Sequence, residues 1–511
     1  MESALPRAEW LAWDGSRLRW RLQAAGGIPA TALQLDGIVF QRYAPVEADA
    51  QEFTCEFEYS PSGQAELEFS LMDSAAAPQA ISAAWNVRLG AAALPGSNAT
   101  AVAVRGLAPL AGTPKLPQFA LADLPPVAVV VPIYNSPQCV QRCIESVLRW
   151  SPRARLILVD DASSDTRIGE ILAAHAGRAN IVVQRNERNR GFTHSVNVGV
   201  DLAAGADVVL LNSDTEVGPR WLSALKLAAY ADDSVGTVTA VSDNAGAFSV
   251  PEIEQYCPIP PRWNLLQAQR AVLQQAGLRY PQLPTGNGFC MYIKRVVLAR
   301  IGPMDEVAFP VGFGEENDFC QRAERAGYRN IIAGNVLVHH ERSASFGDAR
   351  RTTLGAQGMQ VLRERYPDYE SEVAATLHSF ARHVLDYRVR RTYADRDGSY
   401  AGLAPRPRLL IAADVGDARA ERLLATLERR YEGFLLRREG DWVNLYRHAA
   451  SSLAFERGVA IGNAATALRD VENRLCEWMV AYAIESLHPL GTAASDGWLA
   501  GLAAGLEIPT A

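Results

Sequence analysis

Hydrophobic and polar positions change their pattern twice along the 511 residues of the chain. Up to about residue 122, short runs such as 33–40 and 53–59 alternate between apolar and polar positions and are broken by Gly, Pro and Ser. This alternation predicts short, half-buried strands and therefore a small β-rich domain over residues 1–122. Several prolines within residues 107–126 then predict an extended connector.

The pattern changes at the unbroken apolar run 127–133, which is typical of a strand covered on both faces. Further apolar runs alternate with segments that have helical spacing, the first at about 137–150. The expected fold class is therefore α/β, with a doubly wound, mostly parallel sheet in a domain spanning residues 123–365. Residues 366–405 are predicted to form a helical linker, and residues 406–511 a further α/β unit.

Ligands bind at the carboxyl ends of strands in such sheets, and polar clusters follow the predicted strand ends here. In the first cluster, Pro132 fixes the backbone, while Tyr134 and Asn135 are suited to stacking on, and hydrogen bonding to, a base or ribose. In the second cluster, Asp161 can accept hydrogen bonds from a pyrimidine base. Capping of the next helix by the residues that follow would by itself explain most of this second cluster.

The third cluster, Asn212-Ser213-Asp214, is carried to the sheet edge by the apolar strand before it. Hard cations such as Mg²⁺ or Mn²⁺ prefer oxygen ligands and keep positions open for diphosphate oxygens. Asp214 is the predicted ligand, although an Asx-type turn is the more frequent explanation for these residues in isolation. His339 and His340 end a later apolar strand and offer a nitrogen ligand, but histidines at a strand end are more often surface residues.

The fourth cluster places Glu315, Glu316 and Asp318 in the first turn of a predicted helix, directly after a Gly-Phe-Gly turn. Acidic residues favour helix N-termini because of the helix dipole, which gives a purely structural explanation. That explanation does not account for the doubled carboxylate after the glycine turn. The three side chains are therefore candidates for a functional role.

Charge and cysteine content narrow the classes of function. The 50 basic and 57 acidic side chains give a formal charge of −7, so the chain has no overall attraction for nucleic acid or anionic lipid. The seven cysteines lack the spacing of a zinc site or a disulfide framework, which indicates reduced thiols in a cytoplasmic protein. No signal-peptide pattern or long apolar run is present, although peripheral association with the inner face of a membrane stays open.

In their order and spacing, these clusters resemble the family 2 glycosyltransferases, which are inverting enzymes with the GT-A fold, over roughly residues 127–350. The resemblance rests on Pro132 to Asn135, on Val159-Asp160-Asp161, and on a helix motif made by Asn189, Gly191, Phe192, Asn197 and Gly199. It implies that Asp161 and Tyr134 read the nucleoside. It also implies that the segment with Asn189, Gly191 and Asn197 lines the diphosphate of a nucleotide sugar.

The family's metal motif Asp-x-Asp corresponds here to Asn212-Ser213-Asp214, in which only the last carboxylate is kept. The resemblance implies that Asn212 and Ser213 contact the nucleotide sugar. The resemblance implies an acceptor side at Gly286, Asn287 and Gly288. It implies a general base at Glu316, with Glu315 and Asp318 as alternatives. Asp214 and His340 are implied as ligands of Mn²⁺ or Mg²⁺, with His340 preferred to His339 from its spacing to Ser345-Phe346.

The unit over residues 406–511 resembles the opening of a GT-B, family 4 glycosyltransferase domain. Relatives carry a glycine-rich loop there, whereas this chain has Gly416 alone. The expectation is a half Rossmann-like module, partial or degenerate, without a donor site of its own.

These features together predict a hexosyl- or deoxyhexosyltransferase that uses a UDP- or dTDP-sugar and a glycan or lipid-linked glycan acceptor, in surface polysaccharide or glycan synthesis. A Rossmann dehydrogenase is disfavoured, because the first strand runs into Pro-Ile-Tyr-Asn instead of Gly-x-Gly-x-x-Gly. A catalytically inactive sugar-binding or scaffold protein with the GT-A fold remains the alternative, since Asn212 replaces the first metal carboxylate. The nature of the sugar and the oligomeric state do not follow from the sequence.

Overall fold

The computed structural model describes residues 7–13, 17–23, 27–28, 30–35, 38–43, 45, 50–56, 66–73, 85–88, 124–276, 280–341, 348–377, 379–394, 406–439, 442–449, 452–460, 465–490, 498–506 and 508–510. Most of the predicted connector, up to residue 123, and the pair Ser345-Phe346 lie outside these ranges. The chain divides into two compact units. One comprises Met1–Thr113 with His378–Arg396, and the other comprises Pro114–Leu377 with Asp397–Ala511.

In chain order the strands are β1 Arg7–Trp13, β2 Arg17–Gln23, β3 Thr31–Leu35, β4 Ile38–Tyr43, β5 Ala50–Glu56, β6 Glu66–Asp73, β7 Trp85–Arg88, β8 Val127–Ile133, β9 Arg155–Asp160, β10 Ile181–Arg185, β11 Asp207–Leu211, β12 Thr215–Glu216, β13 Val235–Ser242, β14 Cys290–Ile293, β15 Arg329–His340, β16 Arg408–Asp414, β17 Glu432–Glu439, β18 Trp442–Ala449, β19 Ser452–Ala460 and β20 Ser486–Pro489. The helices are α1 Pro137–Trp150, α2 Thr166–His175, α3 Phe192–Leu202, α4 Trp221–Ala229, α5 Leu265–Gln275, α6 Arg295–Ile301, α7 Glu315–Arg325, α8 Asp348–Arg365, α9 Tyr369–Leu377, α10 Phe380–Ala394, α11 Ala418–Leu427, α12 Ala465–Ala481 and α13 Trp498–Gly505.

The unit that contains the N-terminal strands has two antiparallel sheets, ordered β1-β2-β5 and β4-β3-β6-β7. Helix α10, which the sequence placed in a linker, packs against β4 of this unit. The rings of Phe40 and Tyr387 meet edge to face with centroids 5.2 Å apart, and Arg390 Nη1 donates to the Val39 carbonyl oxygen at 3.3 Å. The unit is therefore completed by a helix that lies far along the chain.

The other unit contains an eight-stranded sheet in the order β10-β9-β8-β11-β14-β13-β15-β12. Strands β10, β9, β8 and β11 pair in parallel, as do β13 and β15, while β14 is antiparallel to both neighbours and β12 is antiparallel to β15. Strands β8 and β11 are buried along nearly their whole length, as expected for strands covered on both faces. The predicted α/β class with a mostly parallel sheet is confirmed.

Helix α3 lies close against β8 because residue 199 is a glycine. A Cβ at Gly199 would clash with the Val130 side chain, so no larger residue fits this packing. Val130, Val159 and Val196 belong to one buried cluster that joins these elements. The parallel pairing brings the carboxyl ends of β9, β8 and β11 to one edge of the sheet, where the polar clusters of the sequence begin.

Residues from 406 onward form a second, five-stranded sheet ordered β19-β18-β17-β16-β20. Its strands β17, β16 and β20 are parallel, as in half of a Rossmann sheet, and the antiparallel hairpin β18-β19 extends one edge. Buried Arg270 of α5 donates to the Arg406 carbonyl oxygen at 2.9 Å and pairs with Glu485. The C-terminal segment therefore packs within the same compact unit as the eight-stranded sheet. Within the described part of the chain, no helix is both long enough and apolar enough to span a membrane.

Candidate active site

The end of β8 is tied to the end of β9 by Asn135. This residue takes a left-handed backbone conformation with φ 57°, and its side-chain oxygen accepts from the backbone N–H groups of Ser164 and Asp165, both at 3.0 Å. The amide oxygen proposed from sequence for a nucleoside is thus engaged within the protein. Pro132 is buried inside β8, whereas Tyr134 is 37% exposed and presents its ring at the sheet edge.

Asp161 holds the loop that leads into α3. Its Oδ1 accepts from Asn186 Nδ2 at 2.8 Å and from the Arg190 backbone N–H at 2.9 Å, and its Oδ2 accepts from the Gly191 N–H at 2.8 Å. A carboxylate offers about four lone-pair positions, so about one is left for a ligand. In the structure, Asp161 therefore holds the loop in place. This role is additional to the recognition of the base that the sequence implies.

The helix motif at the start of α3 anchors a distant segment. Gly191 has φ 91°, and a Cβ there would clash with the Pro310 carbonyl oxygen. Asn197 Nδ2 donates to the Met304 carbonyl oxygen at 2.9 Å, and its Oδ1 accepts from the Met304 N–H at 3.1 Å. The Asn197 amide is therefore used to hold the chain that enters the glycine turn before α7. Asn189 is the exposed asparagine of the motif.

Strand pairing brings the predicted metal ligands together. Thr215 of β12 pairs with His340 of β15, which leaves His340 Nε2 3.3 Å from Asp214 Oδ1. His340 Nδ1 lies 3.0 Å from the Asn244 carbonyl oxygen, which can only accept, so Nδ1 donates to it and Nε2 is the ring nitrogen that faces Asp214. A histidine whose second ring nitrogen is fixed in this way has the geometry of a metal ligand.

His339, the neighbour of His340, has a different partner. Its Nδ1 lies 2.6 Å from Asp243 Oδ2, and this hydrogen bond raises the pKa of His339 against the opposing effect of burial. The other Asp243 oxygen accepts from the His340 backbone N–H at 3.0 Å. Asp243 therefore binds the side chain of His339, whereas the side chain of His340 faces Asp214.

Asn212 lies beside this pair. Its N–H donates to the Phe289 carbonyl oxygen at 2.9 Å, and the Phe289 ring stacks on His340 with centroids 5.4 Å apart. Asn212 Oδ1 is buried without a hydrogen-bond partner in the described part of the chain, which is costly unless a donor or a cation meets it. Ser213 lies between Asn212 and Asp214 in the same turn and is half-buried.

The described residues contain no cluster of three or more His, Cys, Asp or Glu side chains suited to a metal ion. Mg²⁺ and similar hard cations, however, are commonly bound by one or two carboxylates together with substrate phosphates and water. The amide oxygen of Asn212, the Asp214 carboxylate and the Nε2 atom of His340 are ligand types that fit such a cation.

The three carboxylates at the start of α7 have different surroundings. Asp318 is fully buried and accepts from Arg322 Nε at 2.8 Å, from Arg365 Nη1 at 2.8 Å and from Tyr366 Oη at 2.7 Å. With three donors, two of them cationic, Asp318 anchors α7 to the end of α8. This environment suits a structural carboxylate better than a general base.

The surroundings of Glu316 and Glu315 differ from those of Asp318. Glu316 is half-buried, and its Oε1 accepts from the Gly288 N–H at 3.4 Å. Its Oε2 is buried and has no hydrogen-bond partner among the residues that the structure describes. Glu315 is 2% exposed, and burial, together with the negative charge of Glu316, raises the pKa of Glu315 well above its usual range. Glu316 is therefore the carboxylate of the three that borders the glycine-rich segment.

That segment, Gly286 to Phe289, separates the two groups of side chains. A Cβ at Gly288 would lie 3.4 Å from Phe192 Cζ and 4.0 Å from Glu316 Oε1, whereas Phe289, the next residue, contacts His340 and Asn212. Asn287 Oδ1 accepts from the Phe289 N–H at 3.1 Å and so shapes the segment itself. Two adjacent residues thus touch the carboxylate Glu316 and the pair Asp214–His340.

The sequence reasoning overlooked the residues that orient this site. Asp243 and Asn244 directly follow β13, so the rule of polar residues at strand ends would have included them. Arg365 and Tyr366 are 47 and 48 positions from Asp318, and no local pattern points to them.

Comparison with known proteins shows what part of this chain is similar to. Residues 128–302, about a third of the chain, match the family model described as glycosyl transferase family 2. The chain is 34% identical to glycosyltransferase GlyG of Streptococcus pneumoniae serotype 4 over 101 residues, which cover 19% of this chain and 33% of GlyG.

A second relative is the undecaprenyl-phosphate 4-deoxy-4-formamido-L-arabinose transferase of Pectobacterium carotovorum, 34% identical over 125 residues that cover 23% of this chain and 38% of that protein. The chain thus spans little more than a third of the length of these curated relatives. Among solved structures, GalNAc-T7 with UDP, GalNAc and Mn²⁺ is similar over 52% of this chain and 54% of its own, at 18% identity and a TM-score of 0.38.

Proposed function

We propose that this chain is an inverting glycosyltransferase that moves a sugar from a UDP- or dTDP-sugar to a hydroxyl group of a glycan or lipid-linked glycan. The observation that carries the proposal is the placement of Glu316 and of the Asp214–His340 pair against the adjacent residues Gly288 and Phe289. The proposed base for the acceptor hydroxyl and the proposed ligands of the cation that binds the leaving diphosphate therefore lie on either side of one short segment. A binding protein has no need of the base.

In the proposed reaction, the acceptor oxygen attacks the anomeric carbon on the face opposite the diphosphate. The new C–O bond forms as the bond from that carbon to the diphosphate oxygen breaks, and the nucleoside diphosphate leaves. Glu316 takes the proton from the acceptor hydroxyl, as a positioned general base does. One displacement at the anomeric carbon inverts its configuration.

On the donor side, Tyr134 and the remaining acceptor position of Asp161 are proposed to read the nucleoside base. The exposed loop with Asn189, held by Asp161, borders the diphosphate. Asn212, Asp214 and His340 would hold a divalent cation such as Mn²⁺ or Mg²⁺. When bound, that cation supplies positive charge that neutralises the departing diphosphate.

The acceptor class and the biosynthetic setting are supported by the relatives' names. The Pectobacterium enzyme is named for an undecaprenyl-phosphate substrate, which agrees with a lipid-linked acceptor or product for this chain and with a place in surface glycan synthesis. The C-terminal unit is proposed as a partial GT-B-like module without a donor site. In support, the turn after β16 has Gly416 as its single glycine, whereas a dinucleotide-binding loop at this place carries several.

The decisive experiment compares Glu316→Gln with the unmodified chain in a panel of UDP- and dTDP-sugars. The change is nearly isosteric, so nucleotide binding and stability should stay close to those of the unmodified chain, while turnover should fall by about 10²- to 10⁴-fold. Donor hydrolysis and transfer would be followed through the nucleoside diphosphate released. An unmodified chain that binds nucleotides but turns over no donor would favour the inactive sugar-binding or scaffold protein.

A further inference from the structure

Glu315 is the one carboxylate of the α7 cluster without a role in the proposed function. It is 2% exposed, and its Oε2 accepts from the Gly314 backbone N–H at 3.0 Å. The cations near this helix turn, Arg322 and Arg365, pair with Asp318 instead. Glu315 is therefore buried beside a second carboxyl group rather than beside a cation.

An ionised carboxylate that is buried without a cation is energetically costly, and such groups take up a proton instead. Burial acts in this direction on Glu315, and the negative charge of Glu316 adds to it, so that the pKa of Glu315 is raised well above its usual range. A protonated carboxyl group is a hydrogen-bond donor as well as an acceptor. An acceptor is at hand on the next residue, because Glu316 Oε2 is buried and has no hydrogen-bond partner among the described residues.

We propose that Glu315 is a positioning residue: it keeps its proton and donates a hydrogen bond to the Glu316 carboxylate. With the Gly288 N–H, which donates to Glu316 Oε1, this gives the base two donors that fix its orientation toward the acceptor side. The inference rests on the proposed function for its catalytic meaning, but the protonation of Glu315 itself does not depend on any activity.

The protonation of Glu315 is tested by stability. Where the unfolded chain has lost the proton of this side chain and the folded chain retains it, the folded state binds more protons, so stability falls as pH rises toward the folded pKa. Glu315→Gln cannot ionise and escapes this loss. The melting temperature of Glu315→Gln minus that of the unmodified chain should therefore increase steadily as the pH rises above the usual pKa range of Glu.

The matched control for this measurement is Glu170→Gln on the exposed surface of α2, for which no rising difference is expected. A Glu315→Gln difference that stays flat with pH, as in the control, or that turns in favour of the unmodified chain, would show that Glu315 is ionised in the folded protein. That result overturns the proposal whether or not the chain transfers sugar.

The positioning role is tested by turnover of the UDP- or dTDP-sugar that the unmodified chain hydrolyses fastest. A glutamine at 315 can accept from the Gly314 N–H and donate to Glu316, so Glu315→Gln should retain most of kcat. Glu315→Leu keeps the bulk but not the donor, and should lose about 10- to 100-fold, the worth of a hydrogen bond to a charged group.

The pH profile separates positioning from a merely structural role. When Glu315 loses its proton at high pH, Glu316 loses a donor and gains a like charge beside it, so the rate of the unmodified chain should fall on the alkaline side. Glu315→Gln should lack that fall. Equal loss in the Gln and Leu variants, or an alkaline fall that persists in Glu315→Gln, would refute the positioning role. If the unmodified chain turns over no donor, the proposed function fails, and the stability measurement still decides the protonation.

Discussion

Replacing Asp318 by Asn tests whether this carboxylate anchors α7 or takes part in the chemistry. Asp318 is fully buried and accepts from Arg322, Arg365 and Tyr366. Asn keeps the shape and one acceptor oxygen, but it removes the negative charge and turns an NH₂ group toward one of the donors. The helix then loses its charged link to the end of α8.

The magnitude follows from the three bonds. Hydrogen bonds to charged groups are worth about 1.5–3 kcal/mol each, and breaking a buried ion pair costs about 3–5 kcal/mol. The Arg322 and Arg365 side chains are 25% and 37% exposed, so water partly replaces their lost partner. We therefore expect the lower end, about 3 kcal/mol of unfolding free energy. For a unit of this size that corresponds to a fall of about 4 °C in melting temperature.

Thermal and urea unfolding of Asp318→Asn measure this loss. The control is Glu370→Gln, which breaks the exposed Arg363–Glu370 pair at the start of α9 and should leave the melting temperature almost unchanged. Turnover per folded molecule of Asp318→Asn should exceed that of Glu316→Gln. The anchoring role is refuted if Asp318→Asn unfolds like the control while its turnover falls as far as that of Glu316→Gln.

Three further changes probe the donor side. Asp161→Ala should weaken binding of UDP or dTDP in calorimetry, because it releases the loop before α3 and removes a partner of the base. Mn²⁺ should strengthen UDP binding, and Asp214→Ala or His340→Ala should abolish this effect, since these side chains are the proposed ligands. Gly191→Ala should lower the melting temperature and weaken UDP binding, because a Cβ clashes with the backbone at a positive φ. Gly169→Ala, in open space on α2, should instead stabilise by about 0.5–1 kcal/mol.

Each of these expectations has a contrary outcome. Unchanged nucleotide affinity in Asp161→Ala would remove this side chain from the donor site. Full turnover in EDTA would indicate a metal-free site built on Arg or Lys. Equal melting temperatures for Gly191→Ala and Gly169→Ala would show that the backbone near Gly191 moves aside without cost.

The sequence by itself determined the α/β class, the strand ends and the residue types that follow them. These features depend on near neighbours: an unbroken apolar run forms a strand that is covered on both faces, and the polar residues after it must leave the sheet at its edge. For this reason local pattern alone is enough to single out Asp214, Asp161 and the carboxylates from Glu315 to Asp318 as candidates. The same pattern, however, leaves neighbouring residues such as His339 and His340 equivalent.

The family resemblance preferred His340, and the tertiary structure shows the physical difference between such neighbours, because burial and hydrogen-bond partners come from distant parts of the chain. Asp243, at the end of another strand, engages His339 and leaves His340 to Asp214. Arg365 at the end of α8 and Tyr366 just after it donate hydrogen bonds to Asp318. Glu315 and Glu316 differ in their burial, since Glu315 is buried and Glu316 is half-buried. Helix α10 joined the N-terminal strands for the same reason, since Phe40 and Tyr387 meet only once the chain has folded.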